Sequence, residues 1–420
     1  MSSSSSKRSC SAGPADGDSN QENVTDLMVQ SVLAHDTHVI MEHATGMVRY
    51  LDCAATTPVD PRVREEVLLY LDHEFGNAGS RTHDFGRRAH NAVEAARDRV
   101  AAVVSASRGD VFFTSGATES NNLAILGLEE HGRATGRTHV ITSRIEHHAV
   151  LEPMTELKRR GFDVTWLDPT PGGWIEADAV RDALRPETLL VSIMHVNNET
   201  GVLQPVADIA GTLGDHPAFF HVDAAQGFGK EVRSLAHKRI DLISVSGHKI
   251  HAPKGVGALL LRRRNNERPP VKPLLLGGGQ ERGLRPGTLP VHQIAGLGKA
   301  AELALAEWPM RDRCCRAFRE RLLEGLAPLA PVIHGDLERS LPNIVNLSIP
   351  GIDADTVMEA WSELVAVSDG AACTSASYTC SHVLSAMRVP EAQMSGALRF
   401  SWCHSSELPD LTAMVAAIDG

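Results

Sequence analysis

Lys249 sits just past an apolar run, Ile240–Val245, that is broken by Asp241; Ser246 and His248 precede it and a glycine-bearing loop follows. A lysine taken out of water at a strand end loses affinity for its proton, and the neutral amine becomes a nucleophile able to join an aldehyde. A surface lysine needs no such neighbours. Asp223 closes another apolar run, Phe219–Val222, with Gln226 three residues on. A carboxylate at a buried strand end is costly unless it meets a cation or a proton donor. Helix capping is its simpler use, and holding a protonated ring nitrogen the more specific one. Between the run Val111–Phe113 and the next helical stretch stand Ser115, Gly116, Ala117 and Thr118. Free backbone N–H groups and the helix dipole favour a phosphate there. A plain N-cap by Thr118, with Glu119 in the first turn, would use the same residues.

His147 and His148 follow the run His139–Thr142 at a helix start, and Asn197, Asn198 and Glu199 follow Leu189–Met194. Alone, each has a structural use: a lone histidine is more often packing than chemistry, and adjacent amides make turns. Parallel sheets, however, collect their ligands at the C-terminal strand ends. A phosphate site, a ring-facing carboxylate and an aldehyde-binding lysine, in that chain order, are the parts a pyridoxal phosphate site needs. Lys254, in "APKGVG", is the competing lysine and reads as a loop residue.

The elements that must position these residues alternate. Val111–Phe113, His139–Thr142, Val164–Leu167, Leu189–Met194, Phe219–Val222 and Leu242–Val245 read as strands, and amphipathic stretches such as Arg87–Val104 and Asn121–Gly132 as the helices between them. The alternation implies an α/β fold with a mostly parallel sheet covered on both faces. A long charged helix over roughly Ala300–Ala327 leads into a smaller α+β segment. The basic run Leu261–Lys272 reads as a solvated loop.

The chain has 420 residues, 42% apolar and 22% charged, with a net charge of -11. That allows a sizeable core and two domains, and it argues against direct nucleic-acid contact or a membrane-surface role. No apolar run reaches transmembrane length. The seven cysteines (Cys10, Cys53, Cys314, Cys315, Cys373, Cys380, Cys403) are odd in number and contain no CxxC pair. This is the pattern of a reducing bacterial cytoplasm, without zinc-ligand spacing. Residues 1–46 are Ser-rich and polar and read as a disordered extension with neither a secretory core nor transit-peptide composition. Met47 is a candidate natural start.

The segments "YLDCAATTPVDP", "FGNAGSRTH", "TSGATESNN", "IEHHAVL", "MHVNNETGVLQPV", "HVDAAQGFGK", "SGHKIHAPKGVGAL", "GGGQERGLRPGTLP", "LPNIVNLSI", "GAACTSAS" and "ALRFSW" span Tyr50 to Trp402. In these the chain resembles the NifS/IscS-type cysteine desulfurases of the class V aminotransferase group, with pyridoxal phosphate fold type I. The resemblance implies a large cofactor domain over 62–305 with a seven-stranded, mostly parallel sheet. It also implies a smaller domain made of 47–61 and 306–420 that carries the catalytic cysteine.

The resemblance further implies a role for each matching residue. Lys249 would bond to the cofactor aldehyde and Asp223 would hold the ring nitrogen protonated. Gln226 and Asn198 would contact the ring hydroxyl, and Asn198 also the substrate. His147 would stack on the ring and help move a proton. Ala117, Thr118, Ser246 and His248 would hold the phosphate. Thr288 would reach the phosphate of the other subunit, making a homodimer with shared sites. Arg399 would bind the carboxylate of L-cysteine. Cys373, in "ACTSAS", would take the sulfur as a persulfide and pass it to an acceptor protein. The other cysteines read as packing or surface residues. Iron–sulfur assembly, tRNA thiolation and DNA phosphorothioation are the routes such a sulfur can serve. A selenocysteine lyase or another β-lyase is the alternative within the fold, and a catalytically silent scaffold the alternative outside it. Four positions depart from the pattern: Ala78-Gly79 after Asn77, Gly247 for a residue such as alanine, Pro286 for serine, and Cys403-His404 where a Gly-Arg pair is usual.

Overall fold

Neighbouring side chains of the central strands go to opposite cores. Phe112, Val140, Leu190, Phe219, Leu242 and Leu259 enter one apolar cluster, whereas Phe113, Ile141, Val191, Phe220, Ile243 and Leu260 enter the other. This is the period-two alternation of a strand buried on both faces. The computed structural model describes residues 48–369 and 381–419. Its main sheet has seven strands: β1 (Val111–Thr114), β2 (His139–Ser143), β3 (Asp163–Leu167), β4 (Thr188–Met194), β5 (Phe219–Asp223), β6 (Leu242–Ser246) and β7 (Gly257–Leu261). Their order is β1-β7-β6-β5-β4-β2-β3. β7 runs antiparallel to both neighbours and the other pairings are parallel. The sheet is therefore mixed but mostly parallel, as expected.

Two helices differ from expectation. Asn121–Gly132 is not one helix but parts of two, Ala117–Leu126 and Glu129–Thr135. The break falls at Gly127, whose carbonyl accepts from Lys272 N at 2.8 Å. A Cβ there would lie 2.8 Å from Lys272 O, so the close approach of that loop requires glycine. The long helix runs Val291–Leu326 and starts earlier than its charged part, because Val291, Ile294 and Leu297 belong to the main core. The basic run is not wholly solvated: Arg262 is buried and donates to the carbonyls of His237 at 2.9 Å and Leu235 at 2.7 Å.

A second sheet joins β8 (Val332–His334), β9 (Ile344–Ser348) and β10 (Ala397–Ser401), all antiparallel. Its apolar face packs with Leu51, Phe318, Trp361 and Trp402 in a third cluster. Arg399 stands in the middle of β10. No helix among the described residues is long and apolar enough to cross a membrane.

Candidate active site

A cavity of about 510 Å³ opens at the C-terminal ends of β4, β5 and β6 and is lined by Ala117, Thr118, His147, Asn198, Asp223, Gln226, Ser246, His248, Lys249 and Arg399. Eleven of the twelve residues singled out from the sequence lie in the described part of the chain, and of these only Thr288 is absent from the lining. Thr288 is exposed. Cys373 lies outside the described residues.

The loop after β1 is built for an anion. The helix begins at Ala117, and its N-cap is Gly116, which supplies no side chain. The capping role weighed for Thr118 is thereby excluded, and the first-turn N–H groups keep no side-chain acceptor. Gly116 has φ of 152°, a conformation that favours glycine. Gly257 of β7 comes so close that a Cβ would stand 2.6 Å from Gly116 Cα. Glu119 holds the turn from outside, accepting from Ser115 N at 2.8 Å and Arg285 Nε at 2.9 Å.

Asp223 ends β5 and is buried. No helix starts there, which removes its capping alternative. Its Oδ1 accepts from Ala225 N at 2.9 Å, and its Oδ2 accepts from Asn121 Nδ2 at 2.7 Å. Asn121 went unnoticed in the sequence; its signal was a polar residue one turn along the helix that opens at the anion loop. Its own Oδ1 is buried without a partner.

Lys249 follows β6 in a single tight turn, Gly247–Lys249. Its Nζ donates to the carbonyls of Ala54 and, at 2.7 Å, Ala55. Gln226 Nε2 donates to the same Ala54 carbonyl at 2.8 Å. Lys254 is exposed at the cavity rim, so Lys249 is the lysine the fold encloses. Burial, with Lys249 and Lys254 beside it, lowers the His248 pKa to about 4. Burial also holds His147 below its usual value, against the pull of Asp223. Two neutral imidazoles therefore line the site near pH 7. His147 caps the helix His148–Arg159 by accepting from Ala149 N at 3.1 Å.

Arg399 is only 2% exposed. It donates to Asp52 Oδ1 at 2.7 Å and to Asn198 O at 3.1 Å, and its Nε is buried with no partner. A buried guanidinium with an idle donor at a cavity wall suits an incoming carboxylate. The segment that carries Cys373 has both ends at this place. Ser368 exchanges backbone hydrogen bonds with Arg399. Ser381 donates to the Glu199 carboxylate, and His382 Nε2 donates to Glu146 O at 3.0 Å. Burial pushes the Glu199 carboxyl up to about 7 and that of Glu146 up to about 8.

An amine, a fixed buried carboxylate and an uncapped helix start around one cavity fit a pyridine ring that bears an aldehyde and a phosphate. The comparisons agree. The class-V aminotransferase family matches residues 49–413. A cysteine desulfurase IscS of Methylococcus capsulatus is 46% identical over 370 residues, 88% of this chain and 91% of that protein. The crystal structure of DndA from Streptomyces lividans matches with TM-score 0.74 and 52% identity, over 84% of this chain and 99% of that one. SspA in complex with cysteine matches with TM-score 0.75 and 37% identity, over 86% of this chain and 100% of that one. The chain thus belongs to the class-V aminotransferase family, in its branch of pyridoxal-phosphate-dependent cysteine desulfurases.

Proposed function

We propose that this site converts L-cysteine to L-alanine and leaves the sulfur as a persulfide on Cys373. The supporting observation is the tether. Cys373 lies five residues after Ser368 and eight before Ser381, and those two serines are bonded to Arg399 and Glu199 at the cavity. A chain of five residues spans at most about 17 Å, a length that allows a thiol at position 373 to reach the substrate carboxylate site.

Pyridoxal phosphate, when bound, supplies an electron-withdrawing ring that stabilises negative charge at the substrate Cα. The protein does the rest. Ala117, Thr118, Ser246 and His248 would hold the phosphate, and Asp223, fixed by Asn121, would keep a proton on the ring nitrogen. Gln226 and Asn198 would contact the ring hydroxyl and His147 the ring face, since all three line the cavity. Arg399 takes the substrate carboxylate, with Asp52 holding the guanidinium in place. Lys249 Nζ, as a free amine, would remove the Cα proton. The Cys373 thiolate then attacks the substrate sulfur. An S–S bond forms as the Cβ–S bond breaks and the electron pair stays on carbon; one proton delivered to Cβ and the return to Cα of the proton held by Lys249 complete alanine. One cysteine and one enzyme thiol become one alanine and one persulfide, so the step needs no outside oxidant.

We assign Thr288 to the phosphate of a second copy's site, in a homodimer. The persulfide goes to an acceptor protein. Of the three routes open to it, the 52% identity to DndA favours the DNA-phosphorothioation one. The test is alanine release from L-cysteine with a reductant, parent against Cys373→Ser. Alanine from the parent and none from the variant, with the cofactor retained in both, supports the reading. Alanine from both would move the sulfur chemistry off Cys373.

A further inference from the structure

We propose a second site: His251, Cys403 and His404 form a binding site for a tetrahedral d¹⁰ cation of the zinc type, behind the cofactor lysine. The ligating atoms of these three residues all lie within 4.8 Å of one another. A zinc ion with Zn–N near 2.0 Å and Zn–S near 2.3 Å sets its ligand atoms roughly 3.5 Å apart, so the three need to converge by about an ångström. The two imidazoles stand nearly edge to face, with ring centroids 5.2 Å apart at 78°, a spacing compatible with both ligating one tetrahedral ion.

The partners around the cluster follow the pattern of metal sites. His251 Nδ1 meets Pro58 O at 3.0 Å. A carbonyl only accepts, so Nδ1 carries the hydrogen and Nε2 is left with the lone pair, the arrangement of ligating histidines. Cys53 lies beside Cys403, and a water is the candidate fourth donor. Two hydroxyls, Ser405 Oγ at 3.3 Å and Ser406 Oγ at 3.5 Å, also meet the Cys403 sulfur. A cavity of about 50 Å³ borders the cluster, walled also by Lys249, Lys230, Trp308 and Arg311. It is large enough for an ion and a water.

Three cations face this space, and each has a partner; Lys249 Nζ donates to the carbonyls of Ala54 and Ala55. Arg311 is tied to Glu307 at 2.8 Å and to Asp60 at 3.7 Å. Lys230 Nζ lies 3.5 Å from Gln226 Oε1. Sulfur and imidazole donors select zinc over magnesium or calcium. The spacing concealed the site, since His251 and Cys403 are 152 residues apart. Cys403-His404 is also the pair that departs from the pattern the resemblance leads one to expect, so two of the three ligands fall at a departure. His251 is two residues past Lys249 and Cys403 four past Arg399. A bound cation would therefore clamp the lysine turn to the strand that holds the substrate carboxylate.

The test uses the pyridoxal-phosphate holoprotein in a Cys373→Ser background, so that the sulfur-accepting thiol cannot supply the ligand. The protein is stripped with a chelator and kept reduced with a phosphine. Co²⁺ is titrated while its visible d–d bands are read, and Zn²⁺ is then used to displace it. The expected result is one equivalent per chain with tetrahedral bands, and a loss of affinity of at least about 100-fold on Cys403→Ser and on His404→Ala. His404 is half-buried, so its variant keeps the test open if Cys403→Ser does not fold. No equivalent taken up by the parent, or uptake unchanged in a folded variant, overturns the proposal.

Discussion

Asn121 Nδ2 lies 2.7 Å from Asp223 Oδ2 in the cavity wall, joining the helix that starts at Ala117 to the end of β5. A charge-assisted hydrogen bond of this kind contributes about 1.5–3 kcal/mol. Asp223→Ala is expected to lower kcat/KM for cysteine by at least ~100-fold, since about 2.7 kcal/mol corresponds to that factor. Asn121→Ala is expected to cost roughly tenfold, because Ala225 N still holds the other oxygen. Steady-state alanine release measures both. Equal losses would mean that the carboxylate depends wholly on Asn121 and that Ala225 N alone does not hold it.

Arg399 has a fork that Asp52 and Asn198 orient. Arg399→Lys keeps the charge and removes the two-pronged geometry. KM for L-cysteine should rise about 10- to 100-fold with a smaller change in kcat. A kcat loss at unchanged KM would place Arg399 in the chemistry instead of in substrate binding.

Gly257 and Gly211 make a matched pair. A Cβ on Gly257 would meet Val245 O at 2.3 Å and Gly116 Cα at 2.6 Å, both backbone, whereas one on Gly211 meets nothing within 4 Å. Gly257→Ala should destabilise by about 1–3 kcal/mol and weaken pyridoxal phosphate binding by displacing the anion loop. Gly211→Ala, within the helix Val206–Leu213, should stabilise by roughly 0.5–1 kcal/mol. Thermal melts and cofactor titration read both outcomes.

Glu146 is fully buried. Its Oε1 accepts from Ser143 Oγ at 2.6 Å and Met194 N at 3.0 Å, while Oε2 has no partner. Burial raises its pKa from 4.5 to about 8. Between those values the folded state binds more protons than the unfolded one, so stability is full below pH 4.5 and falls as pH rises towards 8. At 1.36 kcal/mol per pKa unit the loss is at most about 5 kcal/mol. Glu146→Gln cannot ionise, and its stability should be flatter across this window. Urea unfolding at pH 5 and pH 8 tests this: an unchanged slope between the two would contradict a raised Glu146.

Much of this protein was legible in its sequence, because the signals are local. Six strands were read from short apolar runs, since a strand buried on both faces needs little beyond its own residues. Lys249, Asp223 and Thr118 were found because a polar residue straight after such a run has to stand at a strand end. What escaped was contact between distant segments. Asn121 reaches Asp223 only because its helix packs across β6 and β7. Asp52 reaches Arg399, 347 residues away, because a short bridge brings Asp52 against Ser401 of β10. The Gly127 break depends on a loop 145 residues on, at Lys272. Cys403, read as packing, gains His251 as a neighbour by the same kind of long-range placement. The residue types and their order along the chain thus determined which chemistry was available. The tertiary structure decided which groups are paired, oriented and taken out of water, because those depend on strand order and on the approach of segments that no local periodicity encodes.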